Sequence, residues 1–561
     1  MMRKIKVDWI GIFIVMFLSC MVIAGSKDRT LIPDIRYLYN RAEQMLDCLK
    51  EGNIPFFYYD DFGGVGYGSS FFYGQLTLYP FLVFVNKGID VFINAYTVTL
   101  IALTYTGACF LSKRFTKNYK FIALLYMCSC WSVQSFFSFA TLSNMLAMAI
   151  SFYFIGFCVD FFRDKKSFIS ASIIFYLVIN THLITAVISF IICVILFIMY
   201  FDKLRFKDYI KFALFTTFIC SYFLVNAIYH SGIVTNTNTI NERMISYAVE
   251  GDENVIGNYQ SRLPFTGVLF NYLLVDIGLT NADGYHVFNL TLTILLLIWG
   301  RHKFSKREFI CLFISLVSIV LSVRFFWILI ERLWLNPIQF PCRFTSYAVL
   351  CILLVFLRNL NFKKYKKYLF VGCCLPELIL VPFVTSSINL SLVNEYASNS
   401  YSYQIINGEY LDKSFSWDLD DFEYKKNHVT DQDGNEYDFS VFPNKVVVSV
   451  HGNRGKDIQL TLPKLYYKGY TFSKVTVPET FVTMKEEEFY NHTYTPFITN
   501  TYNVEMGDSQ FIKVDIGKSR GTFVLTYEHP AWLILLDAIT LIIVVVSVLN
   551  LIFYKPSSDL A

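Results

Sequence analysis

Residues 183–201 read LITAVISFIICVILFIMYF, and a basic cluster covering 203–211 follows at once. The run carries no charge over nearly the roughly 20 residues that a helix needs to cross a bilayer. Lys and Arg are retained on the cytoplasmic side of such helices, so this one stretch predicts both the solvent and an orientation. Comparable runs lie near 7–25, 91–111, 120–137, 142–162, 167–181, 209–229, 285–300, 308–324, 344–357, 368–386 and 531–553. Together they predict an α-helical polytopic membrane protein with about twelve transmembrane helices. The runs 167–181 and 183–201 abut at Asn180-Thr181-His182, which makes them a tight hairpin or a single broken passage.

Basic clusters at the amino terminus, 113–120, 163–166, 203–211, 301–307 and 358–367, with Lys555 after the last run, all fall on one side of that count. The expectation is a multi-pass membrane protein with both termini cytoplasmic. Segments 26–90, 230–284 and 387–530 are then displayed outside. The first run follows Arg3, Lys4 and Lys6 but lacks a small-x-small cleavage site, so it reads as an uncleaved signal anchor.

Composition agrees: of 561 residues 55% are hydrophobic, 18% aromatic and only 16% charged, with mean hydropathy +0.45. A soluble fold of that size would be less apolar. The net charge of +4 is small, and its basic residues sit between apolar runs, which speaks against nucleic-acid binding. Most of the 13 cysteines lie inside apolar segments without CxxC or Cys/His metal spacing, and read as small buried hydrophobes.

Residues 387–530 contain no cysteine and change character: NKVVVSVHG (444–452), KDIQLTLPKLYYKGYTF (456–472) and GTFVLTYE (521–528) alternate apolar and polar between Gly, Asn and Asp turns. That pattern predicts an extracytoplasmic antiparallel β-sandwich. The expected organisation is a membrane domain over 1–386, the β-rich domain over 387–530 and a final helix over 531–554.

Polar groups at the outer membrane surface are costly unless used or paired. In the first external loop Asp34 precedes a stretch, 35–50, with helical apolar spacing, which suggests a helix lying in the interface. Asp34 there is either functional or simply an N-cap. Gly63, Gly64, Gly66 and Gly68 loosen the backbone before an aromatic stretch, and as easily mark a turn. In LWLNPIQFPCRF (333–344), Arg343 could hold a phosphate bidentately, with Gln339 nearby, or snorkel to the interface. Glu377, in the run at 368–386, is functional or paired by default. Asp28, Asp60 and Asp61 could contribute to a metal site, a signal without spacing constraints.

These residues resemble a known family. Asp34 with NRAEQML (40–46), GNIP (52–55), GYG (66–68) and FFYGQLTLYP (71–80) is similar to the first external loop of the bacterial YfhO-like membrane proteins. That group is also called 6-pyruvoyl-tetrahydropterin synthase-related, and its architecture is that of the GT-C glycosyltransferases. The resemblance recurs at NTHLIT (180–185), IQFPCRF (338–344), INGEYL (406–411), LPKLYYKGY (462–470) and FVLTYEHP (523–530). It implies a GT-C-like fold and transfer of a sugar from a polyprenyl-phosphate donor in the membrane lipid to a cell-envelope glycan or polymer acceptor.

By that resemblance Asp34 is the catalytic base, and Arg343 with Gln339 binds the donor phosphate. Arg41, Gly66, Tyr67, Gly68, Tyr73, Asn144 and His182 line the substrate. No cofactor is specified, though a divalent cation at Asp28 and Asp34 is left open. The chain departs from the family at Leu38, where relatives commonly carry His. It departs again at Ala140 and Asn144, where they carry Arg and Glu. Asn cannot accept a proton at neutral pH, so a second acidic site is missing. A catalytically silent relative acting as an assembly or partner-binding scaffold is therefore the alternative. A lipid-linked saccharide transporter is disfavoured because the chain shows no repeat symmetry.

Overall fold

A computed structural model describes residues 8–24, 33–50, 52–59, 64–127, 142–164, 167–201, 204–231, 305–321, 419–442, 444–452, 455–476 and 497–553, with Tyr347, Leu350, Cys351 and 353–355. Thirteen helices are used below, in chain order. They are α1 (Trp9–Ala24), α2 (Pro33–Lys50), α3 (Leu82–Val85), α4 (Ile89–Ser112), α5 (Tyr119–Met127), α6 (Leu142–Asp164), α7 (Phe168–Ile179) and α8 (Leu183–Met199). The others are α9 (Phe206–Ile219), α10 (Ser221–Ser231), α11 (Lys306–Leu321), α12 (Leu419–Asn427) and α13 (Ala531–Phe553).

The count of about twelve spanning helices is not what forms. Among the described residues three helices, α4, α6 and α13, are long and apolar enough to cross a membrane, or four if α9 and α10, bent by 59° at Cys220, make one span. The apolar run at 167–181 becomes a 12-residue helix, about 18 Å long against a hydrocarbon core of about 30 Å. The run at 183–201 yields 17 helical residues. Hydropathy alone reads burial against protein and burial against lipid identically, and that ambiguity inflates the count. The runs at 285–300 and 368–386, with Glu377, lie outside the described residues.

The helices pack around α6, which lies against α4, α7 and α8, while α1 and α5 flank α4. Of α6's most apolar window 83% is buried in protein, against 17% for α13, which meets α7, α9 and α10 along one side only. The basic cluster at 113–120 ties helix ends together: Lys120 pairs with Asp8 at 2.9 Å and Arg114 with Asp160 at 2.5 Å.

The carboxyl-terminal domain is also a correction. Instead of a sandwich of two sheets, nine antiparallel strands form one nearly closed sheet in the order β6-β5-β9-β3-β2-β1-β4-β8-β7. They are β1 (Val429–Asp431), β2 (Glu436–Phe442), β3 (Lys445–Val450), β4 (Ile458–Leu465), β5 (Tyr470–Thr476), β6 (Phe497–Tyr502), β7 (Val504–Met506), β8 (Phe511–Gly517) and β9 (Gly521–Tyr527). Closure comes from one chain segment: β6 pairs with β5 and β7 with β8, and only Asn503 separates β6 from β7. Val446, Val448, Val450, Leu460, Leu462, Ile512, Val514, Phe523 and Leu525 alternate with outward residues and fill the interior. Alternation reports one buried face per strand, and a barrel and a sandwich share it.

Between barrel and helices sits the loop that follows α2. Phe57, Val65, Tyr67 and Phe71 are buried with Leu465, Tyr467, Phe511 and Tyr527 in a second core. The buried Lys464 ammonium donates to the carbonyls of Tyr59 (2.9 Å) and Gly64 (2.6 Å), and the Leu465 N–H to that of Val65 (2.9 Å). The loop is thus a spacer glued to both bodies.

Candidate functional site

The expected helix at 35–50 forms as α2, and its buried residues Ile35, Leu38, Ala42 and Met45 recur at helical spacing against the helical body. Arg41 lies among them at 1% exposure, an unusual place for a guanidinium. Its Nη2 donates to the carbonyls of Tyr73 (3.2 Å) and Gly74 (3.1 Å). The guanidinium carbon stands 5.1 Å from the Tyr73 ring centre and 5.7 Å from that of Tyr37. Nε–H is buried and meets no acceptor in hydrogen-bond geometry among the described residues. Burial opposes the charge, but the phenol groups of Tyr58, Tyr37 and Tyr73 outweigh it and hold the pKa above its ordinary value. Arg41 is therefore a buried cation, and among the described residues it forms no ion pair with a carboxylate.

The carbonyls that hold Arg41 are fixed by a close approach. Gly74 lies against the backbone of Asn180, and a Cβ there would collide with it. Asn180 belongs to the turn between α7 and α8, so the break expected at 180–182 is present and the loop rests on it. His182 is the N-cap of α8: its Nδ1 accepts the Thr185 N–H at 3.2 Å. Because Nδ1 is an acceptor, the neutral ring carries its proton on Nε2. Thr185 Oγ1 in turn donates to Asn144 Oδ1 at 2.7 Å, tying α8 to the first turn of α6. The His182 and Tyr73 ring centres are 6.0 Å apart.

Four of the residues expected to line a site, Arg41, Tyr73, Asn144 and His182, thus converge where loop, α2, α6 and the α7–α8 turn meet. Gly66, Tyr67 and Gly68 go elsewhere, into the seam with the barrel. Gly66 takes φ +85° beside Phe57, and a Cβ on Gly68 would strike the Tyr467 ring. Asp34 falls in the first turn of α2, two turns before Arg41. Gln339, Arg343, Asp28, Asp60, Asp61, Gly63 and Ala140 lie outside the described residues. Tyr347, four residues after Arg343, is described: its hydroxyl is 2.7 Å from Ser151 Oγ on α6 and 3.2 Å from Ser189 Oγ on α8.

Sequence reasoning missed Tyr37, Tyr58 and Thr185. Tyr37 precedes Arg41 by one helical turn and Thr185 follows the capping His182 by three residues, so spacing held both signals. Among the described residues no group of three His, Cys, Asp or Glu side chains could hold a metal ion. No known family, curated protein or solved structure matches this chain.

Proposed function

We propose that this protein acts at the outer face of a bacterial cytoplasmic membrane, transferring a sugar from a polyprenyl-phosphate donor to a cell-envelope acceptor. The observation that carries the reading is the buried Arg41 cation, which has no carboxylate partner among the described residues. Two backbone carbonyls and three tyrosine phenols hold that cation without neutralising it, so an anion can still complete it, and a lipid phosphate is an anion that approaches from the membrane side. Arg41 would take the phosphate through its Nε–H, which meets no acceptor among the described residues.

The leaving phosphate departs ionised, so the chemistry needs cations on that side and a base on the other. Asp34 is that base, taking the acceptor hydroxyl proton as the oxygen attacks the anomeric carbon. Two helical turns, about 10 Å, separate it from Arg41 along α2. Arg343 and Gln339, which lie outside the described residues, are further phosphate contacts only as the family resemblance implies. A single displacement inverts the anomeric centre.

One observation favours a second reading, a silent relative that binds the lipid without turning it over. Asn144, at the position where the resembled family carries an acid, is already engaged by Thr185. Both readings are tested by incubating purified protein in nanodiscs with labelled polyprenyl-phosphate sugars and comparing wild type with Asp34→Asn and Arg41→Met. Transfer lost in Asp34→Asn while lipid binding persists supports the enzyme. Binding without transfer in the wild type supports the silent relative, and absence of both overturns the proposal.

A further inference from the structure

A second group of buried polar atoms lies away from Arg41, where α10, the loop that follows α2 and the strand-to-helix link before α13 come together. α10 packs both on α13 and on the short turn that carries Phe71. His230, at the end of α10, is fully buried. It stacks on Phe71 with ring centres 3.6 Å apart and planes within 2°. His529, between β9 and α13, stacks on Phe56 at 4.3 Å and 12°. The imidazoles stack on each other at 6.4 Å and 20°, so a single aromatic pile ties loop, α10 and link together. All four ring nitrogens are shielded from solvent, and none has a hydrogen-bond partner among the described residues.

Stacking alone does not account for histidine at these two positions. Phenylalanine would fill the same pile without burying an N–H that meets no acceptor. What imidazole adds is a charge that switches on below about pH 6.5, and the surroundings reject that charge. Lys468, between β4 and β5, donates to the Tyr229 carbonyl at 3.0 Å, one residue before His230. Its ammonium acts on His230 and repels a second positive charge there. The other groups packed on the pile are neutral: the phenols of Tyr229 beside His230, of Tyr467 and Tyr527 beside Phe71 and of Tyr222 beside Phe56, and the Trp532 indole beyond Tyr229. Two carboxylates come near in sequence or space. Glu528 precedes His529 but is exposed, and Asp537, in the second turn of α13, acts on Tyr222. Neither pairs with an imidazole. Burial holds the His529 pKa well below its ordinary value, at about 4.

We propose that His230 and His529 form an acid-sensitive latch: neutral, they hold the link before α13 against the end of α10, and protonated, they release it. A released ring takes its proton at about pH 6.5, and a stacked one only at lower pH. The latch is therefore at full strength above that value and weakens as pH falls toward the value of the stacked ring, because release takes up protons.

The test is hydroxyl-radical footprinting of full-length protein in nanodiscs across that pH range. It compares oxidation of Phe71, fully buried in the pile, with that of Phe523, fully buried inside the barrel. Two protons taken up on release should raise Phe71 oxidation about 60-fold between about pH 6 and pH 5. His230→Phe or His529→Phe, which keep the pile, should each cut the rise to about 8-fold, the one-proton value, and the double variant should abolish it. Phe523 should stay protected throughout. A flat wild-type response, an undiminished rise in the double variant, or oxidation of Phe523 in step with Phe71 overturns the latch. Should the variants not fold, the wild-type slope decides: two protons per release support the latch, and one or none overturns it.

Discussion

Arg41 makes opposite demands on stability and function. A buried unpaired charge replaced by an apolar side chain of similar length often leaves stability unchanged or higher. Arg41→Met should therefore unfold at the same or a higher temperature while losing about 10-fold or more in affinity for phosphate-bearing lipid, since a charge-assisted hydrogen bond contributes on the order of 1.5–3 kcal/mol. Thermal unfolding and lipid binding on the same sample check both halves, and a large fall in stability would make Arg41 a structural residue. In the barrel, Asp431 shows the more ordinary use of a charge. Burial works to raise its pKa, but the Asn435 side chain and backbone, the Tyr437 hydroxyl and the Asp433 N–H hydrogen-bond the carboxylate, and the net shift is downward. A group with its folded pKa below the unfolded one adds stability that is complete above the unfolded value, about 3.9 for Asp, and disappears as pH falls through the folded value. Acid should thus erode the stability of the barrel below about pH 4. Asp431→Ala should lose about 1–3 kcal/mol at neutral pH and show a flatter acid limb in urea titrations.

Elements were legible in the sequence where the pattern was long and local. The runs at 91–111, 142–162 and 531–553 became α4, α6 and α13 nearly at their expected bounds, and the alternating VVVSV and IQLTL stretches became β3 and β4. Legibility failed where an apolar run hides a break, as at Cys220, because nothing in hydropathy marks a 59° bend. It failed again where a decisive contact joins distant positions. That Gly74 must lack a side chain follows only from the Asn180 backbone beside it, and that Tyr502 and Val504 lie on opposite edges of one sheet follows only from their partners on β5 and β8. Convergence of Arg41, Tyr73, Asn144 and His182 was foreseen only as a set of residues, with no geometry. Two substitutions probe this level. Gly74→Ala should shift the loop off the α7–α8 turn, lowering stability and lipid binding together. His182→Ala should cost about 1 kcal/mol through the lost N-cap, and a binding defect well beyond that would assign the ring a ligand contact.

At the scale of the whole molecule, the helical body and the barrel are joined through a shared aromatic core rather than a tether. Phe57 stacks on Phe71 and Tyr527 and packs against Tyr467, so its truncation should open the seam. Loss of a buried Phe typically costs about 3–5 kcal/mol. Phe57→Ala should accordingly split a single calorimetric transition into two and expose the segment before α13 to protease. An unchanged single transition would mean that the barrel is held elsewhere.

The same seam sets a timetable for biosynthesis. Lys464 closes on Tyr59, 405 residues earlier in the chain. At about 5–20 residues per second, the ribosome leaves Phe57, Tyr67 and Phe71 without their partners for roughly 20–80 s. For that interval the nascent loop carries an aromatic face that only the finished barrel covers, and a chain halted before residue 464 should bind an apolar dye that the complete protein excludes.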